Sequence, residues 1–290
     1  MPHRTMTGRH APTFLGIGPP KCGTTWLDAV LRRHPQVLMP SEQKEVFFFS
    51  RYHDRGRDWY QSLFAGAEGF RAAGEISTNY IKEEAFLARI AGFDPGLKII
   101  ILLRNPTNRL LSHYRMQREN ARVSEGFEEV VAAKPHLVAY SSYAARLAEV
   151  QKHFPRTQVF PGIFEEVLAS RESQVAFLED LARFLDIDPA PMAGLLPDGK
   201  VRETLGLSRF PSLTRVVRRV RRRLRDADRE WLVDGLARIG VTRQLFLARD
   251  EGSERPDPDL LRRLDAQFAP DRAAVEAFLG RPVPSWEVTR

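Results

Sequence analysis

The segment Gly18-Pro19-Pro20-Lys21-Cys22-Gly23-Thr24-Thr25-Trp26 gathers an ammonium, two hydroxyls and flexible glycines where an apolar run gives way to a helical pattern. Such a turn aims backbone N–H groups and the positive end of a helix at an anion, and Lys21 adds a full charge. The chemistry it suits is phosphate binding. It is not the nucleoside triphosphate loop G-x-x-x-x-G-K-[ST], because Lys21 comes two residues before Gly23 and threonine follows the glycine. A second cluster, Arg104-Asn105-Pro106 with Ser112 eight residues after the arginine, follows the apolar run Leu97 to Leu103. It fits a terminal phosphate, provided that an anion lies along that edge. A third, Lys44-Glu45 ahead of Phe47-Phe48-Phe49, sets a carboxylate beside an ammonium and before an aromatic run expected to desolvate it and strengthen it as a base. Glu45 is the candidate base. Glu42 is the rival carboxylate, and His53 and His113 are the histidines that could approach the same place.

These residues need elements to hold them. Thr13 to Gly18 reads as a strand, and Thr24 to His34 as a helix closed by Pro35. Leu97 to Leu103 is a nearly continuous apolar run, as expected of a parallel strand buried on both faces, and Pro106 opens a helix reaching about Arg118. Gln158 to Ile163 reads as a third strand, placed at an edge by Pro161, with helices at Tyr143 to His153 and Ser173 to Leu185. Strands alternating with helices predict an α/β fold: three layers with a central, mostly parallel sheet flanked by helices, and ligands beyond the carboxyl ends of the strands.

With these pieces in place, Lys21-Cys22-Gly23-Thr24-Thr25-Trp26-Leu27 resembles the 5′-phosphosulfate loop of sulfotransferases that use 3′-phosphoadenosine 5′-phosphosulfate (PAPS), with Cys22 where the cytosolic branch usually has serine. The resemblance implies a P-loop-like fold and a nucleotide site in which Lys21, Cys22, Gly23, Thr24 and Thr25 hold the 5′-phosphate. Trp26 would offer a face to the adenine, or else be a core aromatic on the helix's inner face. Arg104 to Ser112 has the spacing of the family's 3′-phosphate motif, including the Asn-Pro after the arginine. Lys44-Glu45-Val46-Phe47-Phe48-Phe49 resembles the Lys-Glu-x-x-Phe-Phe stretch of the carbohydrate branch, where the glutamate takes the acceptor proton. Gly199-Lys200-Val201-Arg202 is the best local match to the loop that covers the 3′-phosphate. Weaker similarities are Tyr143 with Leu147, Phe164-Glu165-Glu166-Val167, Phe184-Leu185-Asp186-Ile187, and Leu279-Gly280 through Trp286.

One departure concerns the acceptor. Glu75-Ile76-Ser77-Thr78-Asn79-Tyr80 has isoleucine where the carbohydrate branch places lysine and threonine where it places proline, which counts against a heparan-like acceptor and leaves Lys21 and Lys44 to stabilise the transition state. The implied reaction moves a sulfuryl group from PAPS to an acceptor hydroxyl of a carbohydrate, glycolipid or natural product by in-line displacement, with no metal required. A P-loop nucleotide kinase and a noncatalytic basic adaptor for membranes or nucleic acid are the rival readings.

Composition narrows the field. The chain has 290 residues, 43% of them hydrophobic, and no apolar run long enough to span a bilayer, so a single globular domain over 1–290 is expected. The start lacks the apolar centre of a signal peptide and Cys22 is the sole cysteine, which together suggest a reducing cytoplasm, as in a bacterial member of the family. Residues 200–230 hold eleven Lys/Arg against four acids, which accounts for the whole net charge of +7, so nucleic acid is not an expected partner. Within that basic segment, helical or lid-like, Arg215 to Arg225 sets Val216, Val217, Val220 and Leu224 at helical spacing among seven arginines. It reads as a solvated helix, a lid over the nucleotide, or a patch for an anionic acceptor or lipid surface.

Overall fold

In the computed structural model, the structure describes residues 12–40, 44–197, 207–208, 211–226, 247–248 and 256–287. Contacts divide the chain into two units, one made of residues 1–109, 140–202 and 265–290, the other of residues 110–139 and 203–264.

The first unit is built on β1 (Phe14–Gly18), α1 (Thr24–Leu31), β2 (Val37–Leu38), α2 (Gly56–Ser62), β3 (Ala72–Ile76), α3 (Glu84–Phe93) and β4 (Lys98–Leu103), followed by the start of α4 (Pro106–Glu119). The second unit takes the rest of α4 with α5 (Phe127–Ala133) and α6 (Pro135–Ala139). The chain then returns to the first unit with α7 (Ala144–His153), β5 (Val159–Ile163), α8 (Phe164–Val167), α9 (Arg171–Leu185) and α10 (Met192–Leu195). In the second unit β6 (Leu207–Ser208) pairs antiparallel with β7 (Leu247–Ala248), and α11 covers Pro211–Asp226. Helix α12 (Pro258–Gln267) leads to α13 (Ala269–Leu279) in the first unit.

The sheet of the first unit is parallel throughout, in the order β2-β3-β1-β4-β5, so β5 takes the edge that Pro161 requires. Side chains alternate along the central strands. Leu15, Ile17, Ile99, Ile101 and Leu103 enter a core shared with α3 and α7, while Phe14, Ile100 and Leu102 enter a second core shared with α1 and α9. Both faces are therefore covered, as the unbroken apolar run of β4 predicts.

This sheet holds five strands among the described residues where three are expected. The additional ones are the two-residue β2 and the strand β3, whose Ala-Ala-Gly-Glu-Ile has little intrinsic strand preference. Position overrides propensity there, because β3 lies between β1 and β2 and is buried along its whole length. Phe164 to Val167 forms a short helix directly after β5. Helix α9 begins at Arg171, two residues before the expected start, because the Ser170 hydroxyl accepts the Ser173 N–H at 3.1 Å and caps it.

Candidate functional site

The phosphate-loop candidate leaves β1 at its carboxyl end, and its course is set by steric limits. Gly18 has φ +103°, and a Cβ there would lie 2.1 Å from the Thr78 carbonyl oxygen, so only glycine lets the loop pass beside β3. Lys21 (φ 74°) and Gly23 (φ 86°) also take the left-handed region, a backbone setting found in loops whose N–H groups cradle anions. Gly23 caps α1 without a side-chain hydrogen bond, so the first N–H groups of that helix keep their donor capacity for an anion.

Within the loop the side chains divide. Lys21 and Thr25 are half-buried, while Thr24, Cys22 and Trp26 are buried. The Cys22 thiol belongs to the second core, and burial raises its pKa to about 12, so at this position only the backbone N–H could serve a ligand. The Trp26 ring is also packed in that core, tilted against Phe177 with centroids 6.3 Å apart.

Arg104 stands at the end of β4 and closes against this loop. One of its terminal nitrogens donates to the Lys21 carbonyl at 3.2 Å, and its guanidinium lies 4.3 Å from the centre of the Phe164 ring. Its Nε is buried without a hydrogen bond, 3.7 Å from Glu165 Oε1. Glu165 in turn accepts the Asn105 N–H at 3.1 Å and the Trp286 indole N–H at 2.9 Å. Burial raises the pKa of Glu165, against the lowering effect of those hydrogen bonds and of Arg104. The Tyr143 hydroxyl donates to the Arg104 carbonyl at 2.7 Å. Phe164, Glu165, Tyr143 and Trp286, read from sequence as structural similarities, thus form the seat of Arg104.

Glu45 is half-buried, and its Oε1 accepts a hydrogen bond from Thr78 Oγ1 at 2.7 Å. Phe48 and Phe49 do not wall it in. They are buried in the first core, where Phe48 stacks on Tyr60 at 4.2 Å and Phe49 packs edge-on against Tyr80 at 5.4 Å. What fixes the Glu45 segment is Glu75, fully buried at the end of β3. Tyr60 and Tyr80 hydroxyls donate to its Oε1 at 2.9 and 2.8 Å, and Ser77 Oγ and the Val46 N–H donate to its Oε2 at 2.5 and 3.2 Å. Ser77 Oγ also accepts the Phe47 N–H at 3.1 Å, which holds Phe47 at φ 59°. Burial raises the pKa of Glu75 despite these four donors. Sequence reasoning marked Thr78 only as a departure from proline and did not single out Glu75. A lone acid in an Ala/Gly/Ile strand is the signal that was there.

Arg104 is thus tied to the backbone of Lys21 and Glu45 to the side chain of Thr78, while Gly18 of the same loop runs close against the Thr78 backbone, at the carboxyl ends of β1, β3 and β4. Lys44 is half-buried and adjoins Glu45 in the chain. Ser112 is half-buried on α4 and belongs to the second unit. Ile76 is buried in the second core, with its side chain against Gly16. Lys200 and Arg202 lie outside the described residues, as does Glu42.

Known proteins share this framework. A sulfotransferase from Alicyclobacillus acidocaldarius superposes with a TM-score of 0.67 at 27% identity, covering 95% of this chain and 98% of its own. The human bifunctional heparan sulfate N-deacetylase/N-sulfotransferase 2 is 29% identical over 305 residues, which cover 95% of this chain. The mouse bifunctional heparan sulfate N-deacetylase/N-sulfotransferase 3 is 39% identical over 136 residues, 43% of this chain. The chain spans only 30% of the length of the human relative and 16% of that of the mouse one. The sulfotransferase domain itself is matched over residues 12–213, from the start of β1 into α11, and the chain belongs to the sulfotransferase family.

Proposed function

We propose that this chain transfers a sulfuryl group from PAPS to a hydroxyl of a glycan, glycolipid or natural-product acceptor. The observation that supports the reading is the contact of Arg104 with the Lys21 carbonyl, which sets a second cation beside the loop that carries Lys21. A nucleotide with phosphate at both its 5′ and 3′ positions calls for two such cationic centres side by side. A triphosphate loop has its lysine after the last glycine, a position that Thr24 occupies here.

In this reading the N–H groups at the start of α1, with Thr24 and Thr25, hold the 5′-phosphate, and Arg104 holds the 3′-phosphate. The acceptor oxygen attacks sulfur as the bridging S–O bond breaks, and the bisphosphate nucleotide leaves. Glu45 accepts the acceptor proton, with Thr78 holding the carboxylate in one orientation. Lys21 stabilises the negative charge that develops on the bridge oxygen, and Lys44 adds to the local positive potential. None of these steps calls on a metal ion. Ile76, turned into the core, supplies no cation toward the acceptor, so the reading favours an acceptor less densely charged than heparan sulfate.

The test is transfer of labelled sulfuryl from PAPS to acceptor pools of neutral glycans, amino sugars, glycolipids and phenols. Calorimetry of the bisphosphate product against ATP, with and without magnesium, accompanies it. Preference for the bisphosphate without magnesium supports the reading, and preference for magnesium-ATP rejects it in favour of a kinase.

A further inference from the structure

Helix α11 carries a feature that the transfer reaction does not use. It runs from Pro211 to Asp226, about 24 Å at helical rise. Leu213, Val216, Val217 and Val220 are 42–53% exposed, the large apolar residues that stand out as exposed among those described. At about 100° per residue these four positions and Leu224 fall within one arc of roughly 100°. The seven arginine positions 215, 218, 219, 221, 222, 223 and 225 occupy the remainder of the circumference, with 221 and 223 flanking the apolar arc. The one acid of the helix is Asp226, at its last residue.

An apolar stripe on a helix whose every remaining position from 215 to 225 is arginine matches one kind of surface, a bilayer with anionic headgroups. The valines and leucines enter the boundary between headgroups and acyl chains, while the flanking arginines bind lipid phosphate. A soluble polyanion complements the arginines and leaves the stripe in water. A second copy of the helix covers the stripe but sets seven arginines against seven. We propose that α11 is an interfacial helix that docks this protein on anionic membranes, independently of the identity of its acceptor.

The full chain is tested by co-sedimentation with sucrose-loaded vesicles of phosphatidylcholine alone or with about one-third phosphatidylglycerol. The anionic vesicles should bind at least about tenfold more tightly, and the difference should shrink as salt rises. Val216→Ser with Val220→Ser should weaken that binding about tenfold by removing apolar insertion without altering charge. Arg219→Gln with Arg223→Gln should weaken it about fivefold per arginine and flatten the salt dependence. Thermal melts of both variants check that the fold is retained, since all four side chains are exposed. Equal binding to neutral and anionic vesicles overturns the proposal. So does unchanged binding by the serine variant, which reduces the effect to adsorption by charge. A dimer in light scattering that the serine variant dissolves assigns the stripe to a second copy and overturns it as well.

Discussion

Glu75→Gln replaces one oxygen of a buried carboxylate by an NH2 group, at a point where every neighbour is a donor. Two donors address each oxygen, Tyr60 and Tyr80 at Oε1, Ser77 and Val46 at Oε2. Whichever way the amide turns, two donors lose their acceptor and face N–H groups instead. A buried donor left without a partner costs about 1–3 kcal/mol, and rotation of the Tyr or Ser hydroxyls recovers part of that, so a loss of about 3 kcal/mol is expected. For a protein of this size that corresponds to a fall in Tm of about 6–12 °C, read by circular dichroism. The loss should carry into catalysis, because the Val46 and Phe47 N–H groups anchored through Glu75 and Ser77 hold the segment bearing Glu45. The pH dependence has a definite sign. Burial raises the Glu75 pKa, so the folded state holds its proton to higher pH than the unfolded chain does. Wild-type stability should therefore fall as pH rises from the ordinary carboxylate range through the raised value, and the variant should lack that component. A Gln variant that melts within about 1 kcal/mol of wild type, with the same pH slope, refutes the network as the support of the site.

Other expectations follow from the same geometry. Lys21→Ala should lower kcat by at least about 10² in a sulfuryl-transfer assay, and a change within about threefold would remove the lysine from the transition state. Arg104→Ala should weaken binding of the 3′,5′-bisphosphate nucleotide far more than that of the analogue lacking the 3′-phosphate, measured by calorimetry; equal losses would place the arginine elsewhere. Thr78→Val keeps the shape and removes the donor to Glu45, so kcat should fall about tenfold while the KM for donor stays near wild type. Cys22, buried and with its pKa near 12, should resist thiol reagents at pH 8 in the folded protein and react on unfolding.

Much of this arrangement was legible before the structure. The Lys21 to Thr25 loop and Arg104 are tied to strand ends by short spacing, and local spacing survives folding. The apolar run of β4 announced a sheet covered on both faces. What could not be read is whatever depends on non-local pairing. Strand β3 exists because β1 and β2 flank it, and its residues alone do not favour a strand. The aromatic run after Glu45 reads as a wall for the carboxylate, yet its second and third rings complete the first core, because Tyr60, Phe64 and Phe93 lie there to receive them. The partner of Glu45 is a hydroxyl from Thr78, 33 residues away, which no periodicity could reveal.

In the proposed reaction Glu45 takes the acceptor proton. The direct measurement is sulfuryl transfer by Glu45→Gln, with binding of the bisphosphate nucleotide measured on the same preparation. Glutamine preserves the size of the side chain and can still accept from Thr78, but it takes up no proton at neutral pH. Nucleotide affinity should remain within about threefold of wild type while transfer falls by about 10² to 10⁴, the usual worth of a positioned general base. Transfer at the wild-type rate, with nucleotide binding intact, would contradict the account and move the role to another group.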